Sequence, residues 1–329
     1  DIVLRAANAA GAPFDISLNG SLSGAGGFTK TGDGILTLGG TSNFAGRVAV
    51  SAGTLRLNGS LTHGGGHIAL ENAILDGNGS SVKPVHLGAG GTIAPVGTLS
   101  ISGLTWHGGG RVALDIATGE KLALSGMLLR GDPGSLTFDL SESVPLAPGS
   151  VHTLVTFTSS DVTESDLSYV GLPGMVGKFI INPNRIDLVV VPAGPTAQYD
   201  LWMIEQALPA GQDGLTDDPD GDGLSNALEF ALALDPKGAG GDGSAVTTMT
   251  EGGLEYPAFR YVRRQELGGL SLLVQVAATP AFMADLGAVE VATTPRDDGT
   301  VEVQVRSAVS LAEQPRQFFR LVAEIPAAQ

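Results

Sequence analysis

A chain of 329 residues with 18 Lys and Arg against 34 Asp and Glu carries a formal net charge of −16, and it has no Cys. This balance excludes a nucleic-acid partner, whose phosphates need Lys and Arg contacts, and the missing thiols exclude disulfides and thiolate metal centres. Hydrophobic residues make up 43% of the chain but aromatic ones only 5%, beside 48 Gly. The core is therefore expected to be built from small aliphatic side chains between tight turns, unlike that of a compact enzyme.

The chain opens on Asp1 rather than Met, which is read as a mature, processed chain that is secreted or displayed at the cell surface. No apolar run reaches the roughly 18 residues of a membrane span. Residues 1–192 are repetitive. Leu18-Asn19-Gly20-Ser21-Leu22 recurs as Leu57-Asn58-Gly59-Ser60-Leu61. Gly53-Thr54-Leu55 and His63-Gly64-Gly65-Gly66 recur as Gly97-Thr98-Leu99 and His107-Gly108-Gly109-Gly110. Within each unit, of roughly 20 residues, short runs such as Ile35-Leu36-Thr37-Leu38 and Thr54-Leu55-Arg56-Leu57 alternate with period two. Asn-Gly and Gly-Gly steps provide corners between them. One such coil cannot bury its inner face alone, so coils must stack, and a parallel β-helix is expected. The competing arrangement is a β-sandwich of hairpins joined at the Asn-Gly turns.

Gly26-Gly27-Phe28-Thr29-Lys30-Thr31-Gly32-Asp33-Gly34-Ile35-Leu36-Thr37-Leu38, followed by Asn43-Phe44-Ala45-Gly46 and Val50-Ser51-Ala52-Gly53-Thr54-Leu55, resembles the autotransporter-associated β-strand repeat. The likeness is close over residues 16–61 and looser as far as Val191. It implies a right-handed β-helix exported to the cell exterior. Nothing after residue 192 is long enough for the outer-membrane barrel with which autotransporters end.

Residues 193–253 form an acidic linker. Residues 199–253 hold eleven Asp or Glu and one Lys, which is most of the charge excess. A helix is expected over Tyr199–Leu208 and a second over Ser225–Leu234. Between them, Asp218-Pro219-Asp220-Gly221-Asp222-Gly223-Leu224-Ser225-Asn226-Ala227-Leu228-Glu229 fits the calcium loop of an EF-hand position by position. Asp218, Asp220 and Asp222 would offer carboxylate oxygens, Leu224 its backbone carbonyl, Asn226 a contact through water and Glu229 a bidentate carboxylate. Gly223 allows the sharp turn. Asp213 and Asp217 are secondary candidates. The core Asp-Gly-Asp-Gly-Leu-Ser-Asn also resembles calcium linkers of the thrombospondin type 3 and dockerin kind. A dockerin needs two such loops and one is present, so no cohesin partner is implied. Calcium, Ca2+, is the expected cofactor, and its expected role is to stiffen a joint between domains.

Period-two runs return in residues 254–329, including Phe259–Arg263, Leu270–Val276, Val301–Val305 and Phe318–Val322, with a turn at Asp298-Gly299. They predict a small immunoglobulin-like β-sandwich. Gln317-Phe318-Phe319-Arg320-Leu321 resembles the last strand of domains that follow such calcium linkers in large bacterial surface proteins. Seven Arg and no Lys in this stretch suit either an acidic partner or ordinary solvated strand faces.

The fold class is thus all-β, with one short helical segment. No nucleophile motif or phosphate loop is present, and Gly108-Gly109-Gly110 is read as a solenoid corner. His63 and His67 have metal-ligand spacing only on a helix, and theirs is a Gly-rich turn. The remaining catalytic candidate is a carboxylate pair, Asp115 and Asp139, stacked from neighbouring coils as in polysaccharide-active β-helices. The expected function is a non-enzymatic extracellular structural protein that self-assembles head to tail into a fibre or surface layer. Its partners would be other copies of itself, with Asp1-Ile2-Val3-Leu4-Arg5 adding to a sheet edge of the next copy. The alternative is a monomeric adhesin or stalk whose partners are glycans or the cell surface.

Overall fold

The computed structural model describes residues 2–325 apart from Ala210 and Asp242; Asp1, the first residue of the expected donor strand, lies outside the described residues. The chain divides into two compact units, Asp1–Val191 and Pro192–Gln329. The acidic segment thus belongs with the C-terminal strands.

The first unit is built of three eight-stranded sheets that the chain visits in rotation. The first sheet runs from Ile2–Arg5 through Phe28–Thr31, Val48–Val50, Ile68–Leu70, Val85–Leu87, Leu104–Trp106 and Met127–Arg130 to Ser159–Ser160. The second runs from Ile16–Leu18 through Ile35–Leu38, Thr54–Leu57, Ile74–Gly77, Thr92–Pro95, Arg111–Asp115 and Leu136–Ser141 to Leu167–Gly171. In both, each strand pairs in parallel with its counterpart one coil later, which is the β-helix-like class expected. Hairpins would have given antiparallel neighbours, so the sandwich alternative for this stretch is set aside.

Register explains the aliphatic alternation. Leu36, Leu55, Leu75, Ile93, Val112 and Phe138 align across successive strands of the second sheet, and all are buried. Val48, Ile68, Val85, Leu104 and Leu128 form the matching column of the first sheet. A one-residue slip would turn a whole column to solvent, so the pattern locks the register. Trp106 sits among them edge-on to Phe138, at 5.2 Å between ring centroids, with its indole N–H on the Gly110 carbonyl at 3.0 Å. Corners come close enough to demand glycine. A Cβ on Gly27 would lie 1.9 Å from the Arg47 carbonyl oxygen, and one on Gly46 would lie 2.1 Å from the Gly27 nitrogen.

Two buried lysines also belong to the corners. The Lys30 ammonium donates to the carbonyls of Gly32, Gly34 and Ala52 at 2.5, 2.6 and 2.7 Å. Lys83 donates to the Ala45 and Gly65 carbonyls and lies 5.1 Å from the centre of the Phe44 ring. Burial holds both lysines below the usual lysine range. At its far end the third sheet changes sense. Arg185–Pro192 adds antiparallel to Val151–Thr156, with Met175–Asn182 outside it. Phe179, Ile186, Leu188 and Val190 there close the aliphatic core.

The second unit starts with helix α1 (Ala197–Gln206), which begins and ends two residues before its expected bounds, and helix α2 (Asn226–Leu232), which is shorter than expected. Tyr199, Trp202 and Met203 of α1 pack with Ala227 and Phe230 of α2 and with Leu270. The helices precede a sandwich of two antiparallel sheets. One has four strands, Ala245–Glu251, Leu254–Arg264, Thr300–Ser307 and Ala288–Pro295, in that order; the other pairs Ser271–Ala277 with Phe318–Glu324. Phe259 stacks on Phe319 at 5.5 Å, joining the two sheets. The first strand begins ahead of the expected boundary at 254, and the six strands are one short of an immunoglobulin constant-type domain.

Several of the C-terminal arginines lie over aromatic rings rather than forming a free cationic face. Arg264 covers Phe230, Arg306 covers Tyr256 and Arg320 covers Phe282.

Candidate metal centre

The loop between α1 and α2 folds on itself through Asp side chains. Asp218 accepts from the backbone N–H of Gly221 and Gly223, both at 2.9 Å. Asp220 accepts from the Asp222 N–H at 3.1 Å, and Asp222 from the Leu224 N–H at 2.8 Å. Gly221 and Gly223 have φ of 76° and 93°, where any side chain would be strained. These turns bring carboxylate oxygens of Asp218, Asp220 and Asp222 to within 4.8 Å of one another.

Helix α2 carries Glu229, whose carboxyl feels the charges of these three acids but is not among the oxygens gathered within 4.8 Å. Its first N–H groups are satisfied by the preceding loop, Asn226 N–H on the Asp217 carbonyl at 2.8 Å and Ala227 N–H on the Leu215 carbonyl at 3.0 Å. This fixes the start of α2, and so Glu229, against the loop. Glu229 is only 1% exposed. Its Oε2 is buried without a hydrogen-bond partner, as is Oδ2 of Asp220. Burial first, and then the charges of Asp220, Asp222, Asp218 and Asp235, push the Glu229 carboxyl up to about 7.

A buried carboxylate facing three others is strongly unfavourable unless a proton or a cation neutralises it. Converging carboxylate oxygens are hard donors of the kind calcium takes, and thiolate and imidazole are absent from the cluster. The carboxylates of Asp218, Asp220 and Asp222 therefore make a cluster that could hold a hard divalent cation, and Glu229 lies outside that cluster.

Asn226 also holds the loop together. Its side-chain N–H groups donate to the Gln212 and Gly214 carbonyls at 2.9 and 2.8 Å, so its amide clamps the incoming loop. Its Oδ1 is buried and unpartnered. Leu224 contributes its N–H to the turn on Asp222. Asp217 is engaged in its own turn, accepting from the Gly214 N–H at 2.8 Å.

Asp115 and Asp139, the candidate carboxylate pair, do not stand opposite one another. Asp139 stands opposite Ala113, and Asp115 opposite Ser141. Asp115 caps a corner through the N–H groups of Ala117 and Ser143, and Asp139 faces Arg111 at 3.8 Å. The register offsets the two acids by two residues along neighbouring strands, so they do not stand directly opposite one another.

The chain matches no protein-family model, and no curated protein matches it. The likenesses to β-strand repeats and to calcium linkers thus rest on the residues quoted above. No helix among the described residues is long and apolar enough to cross a membrane.

Proposed function

We propose that this chain is an extracellular structural protein. In this reading a right-handed parallel β-helix of the exported repeat kind forms a rod, and a second module is braced by calcium. The observation that carries the reading is Glu229, a buried carboxylate whose Oε2 has no hydrogen-bond partner among the described residues, under the charges of Asp218, Asp220 and Asp222. Calcium would take these four carboxylates, with the Leu224 carbonyl and water completing the shell. It would lift the repulsion among the acids and hold the start of α2, whose Phe230 anchors the aromatic cluster with Trp202.

Isothermal titration of metal-free protein with Ca2+, together with melting in Ca2+ and in chelator, tests the reading. One calcium per chain is expected, with a raised melting temperature for the second unit. No binding at millimolar calcium would overturn it.

Head-to-tail self-assembly is the further part of the proposal. Ile2–Arg5 pairs only with Phe28–Thr31 among the described residues, and Ile2 and Val3 are 64% and 66% exposed. A strand with one free edge and apolar side chains is suited to adding a strand from another copy. Negative-stain microscopy with and without chelator distinguishes filaments from dispersed monomers, and monomers in both conditions would refute the assembly.

A further inference from the structure

The tripeptide Asn-Gly-Ser occurs three times in the chain, beginning at Asn19, Asn58 and Asn78. All three copies fall at one corner of the first unit, directly after the second-sheet strands Ile16–Leu18, Thr54–Leu57 and Ile74–Gly77. Leu18, Leu38 and Leu57 align across that sheet, so Asn19 and Asn58 hold the same register position with Gly39 between them. Asp76 stands opposite Arg56, which sets Asn78 beside Asn58 one coil later. All three asparagines are exposed. The side chains of the first two are also placed alike. A Cβ on Gly39 would lie 2.6 Å from Asn19 Oδ1, and one on Gly77 would lie 2.8 Å from Asn58 Oδ1.

The glycines differ. The Gly59 N–H donates to the Leu38 carbonyl at 2.9 Å, and the Gly79 N–H to the Leu57 carbonyl at 2.8 Å, each in the preceding coil. A Cβ on Gly59 would lie 2.2 Å from the Gly40 carbonyl oxygen, and one on Gly79 would lie 2.2 Å from that of Gly59. Both glycines are therefore pressed backbone to backbone on the coil before them. Gly20 has no such support, because its strand is the first of the sheet. Its N–H has no hydrogen-bond partner among the described residues. A Cβ there would meet nothing within 4 Å. The nitrogen that follows Asn19 is thus free to approach the asparagine side chain, and glycine leaves the backbone the freedom to bend towards it.

We propose that Asn19 is a site of spontaneous modification, converted through a cyclic succinimide to aspartate and isoaspartate, while Asn58 and Asn78 are protected by the coils that precede them. The Gly20 nitrogen gives up its proton and attacks Asn19 Cγ. The Cγ–Nδ2 bond breaks, and ammonia leaves with that proton. Water, the sole co-reactant, then opens the ring at either of its two carbonyl carbons. One opening restores the main chain with an aspartate; the other routes the main chain through the β-carbon. At Asn58 and Asn78 the same attack must first break the glycine N–H bond and lift the glycine off its neighbour. Local opening of this kind slows a reaction tenfold for about each 1.4 kcal/mol it costs. The modification adds a negative charge to the first coil. It rests on neither the calcium reading nor the assembly.

The experiment is incubation of the full chain at mildly alkaline pH, followed by peptide mapping with electron-transfer mass spectrometry, which separates aspartate from isoaspartate at each site. In the folded protein Asn19 is expected to convert about tenfold faster than Asn58 and Asn78, or more. In concentrated urea the three sites should react at similar rates, because the reacting tripeptide is the same. Gly20→Ala, which the open space at Gly20 accommodates, should slow conversion at Asn19 and leave the other two sites unchanged. Circular dichroism of the variant confirms folding. Equal rates at the three sites of the folded protein overturn the proposal, as does faster conversion at Asn58 or Asn78. An Asn19 that stays intact over the time in which the unfolded chain converts overturns it too. So does an advantage of Asn19 that persists unchanged in urea, since the fold would then not be its cause.

Discussion

The two units bury charge in opposite ways. In the first, Lys30 is fully buried but meets three backbone carbonyls from its own corner and the next coil. In the second, Glu229 is equally buried and its Oε2 meets nothing. An ammonium among carbonyls is complete within the chain, so it closes a structural corner. A carboxylate among carboxylates is incomplete, and its missing partner must come from solution. The comparison teaches that burial of a charge marks a ligand site only when the chain leaves the charge unanswered.

The largest expected effect is on the solenoid core. Leu75 lies in the middle of an aliphatic column, between Leu55 and Ile93. Leu75→Ala should destabilise the first unit by about 2–5 kcal/mol, read as a lower denaturant midpoint for that unit, while calcium affinity is unchanged. A shift in calcium binding of the same variant would show that the two units are not energetically separate.

Next comes calcium itself. At a concentration about 100 times the dissociation constant, calcium should add about 2.7 kcal/mol to the second unit and nothing to the first. Glu229→Gln sharpens this. It should abolish tight calcium binding and yet make the metal-free protein more stable above pH 7, because a buried charge is removed. A Glu229→Gln protein that is less stable than the parent in chelator would mean that the carboxylate is answered by groups within the protein.

The same residue sets a pH signature. Its folded carboxyl is raised to about 7 against 4.5 for the unperturbed group. Between those values the folded state keeps a proton that the unfolded chain has released. Metal-free stability contributed by Glu229 is therefore present at low pH and lost as pH rises through about 7. Calcium should flatten this dependence, and thermal melts from pH 5 to 8 with and without the ion would show it.

Lys30→Met probes the other side of the comparison. It leaves three carbonyls without their donor, and a loss of about 1–3 kcal/mol is expected from such orphaned groups. Because the folded lysine is held below its usual range, the parent protein should gain stability as pH rises towards the unperturbed lysine value. The variant should lack that gain in alkaline denaturation curves.

The smallest effect is expected at the surface. Arg111 faces Asp139 of the neighbouring strand at 3.8 Å, with both side chains about half exposed. Arg111→Ala should cost on the order of 1 kcal/mol or less, and high salt should reduce the difference.

Much of this architecture was legible in the residues. The period-two runs and the repeat placed most solenoid strands, because a sheet with one buried face imposes alternation. The Asp-x-Asp-x-Asp-Gly spacing identified the acidic loop, because turn geometry there depends on neighbours in the chain. Three things were not legible. Nothing local marks Lys30 and Lys83 for burial, since the carbonyls they meet include ones on neighbouring strands. Asp115 and Asp139 occupy similar places in their own segments, but cross-strand register offsets them. His67 and His86 are about one repeat apart, and their ring stacking shows only when successive strands are paired.

By itself, then, the sequence determined local periodicity, turn chemistry and the spacing of acids in the loop, all set by residues close together in the chain. Tertiary structure alone decided the rest: which acids stand opposite one another, that Glu229 is buried with its Oε2 unpartnered, and that the His67 and His86 rings stack. The physical reason is that burial and long-range register are properties of stacked coils and packed helices. They arise from contacts between residues far apart in the chain, and no local pattern encodes them.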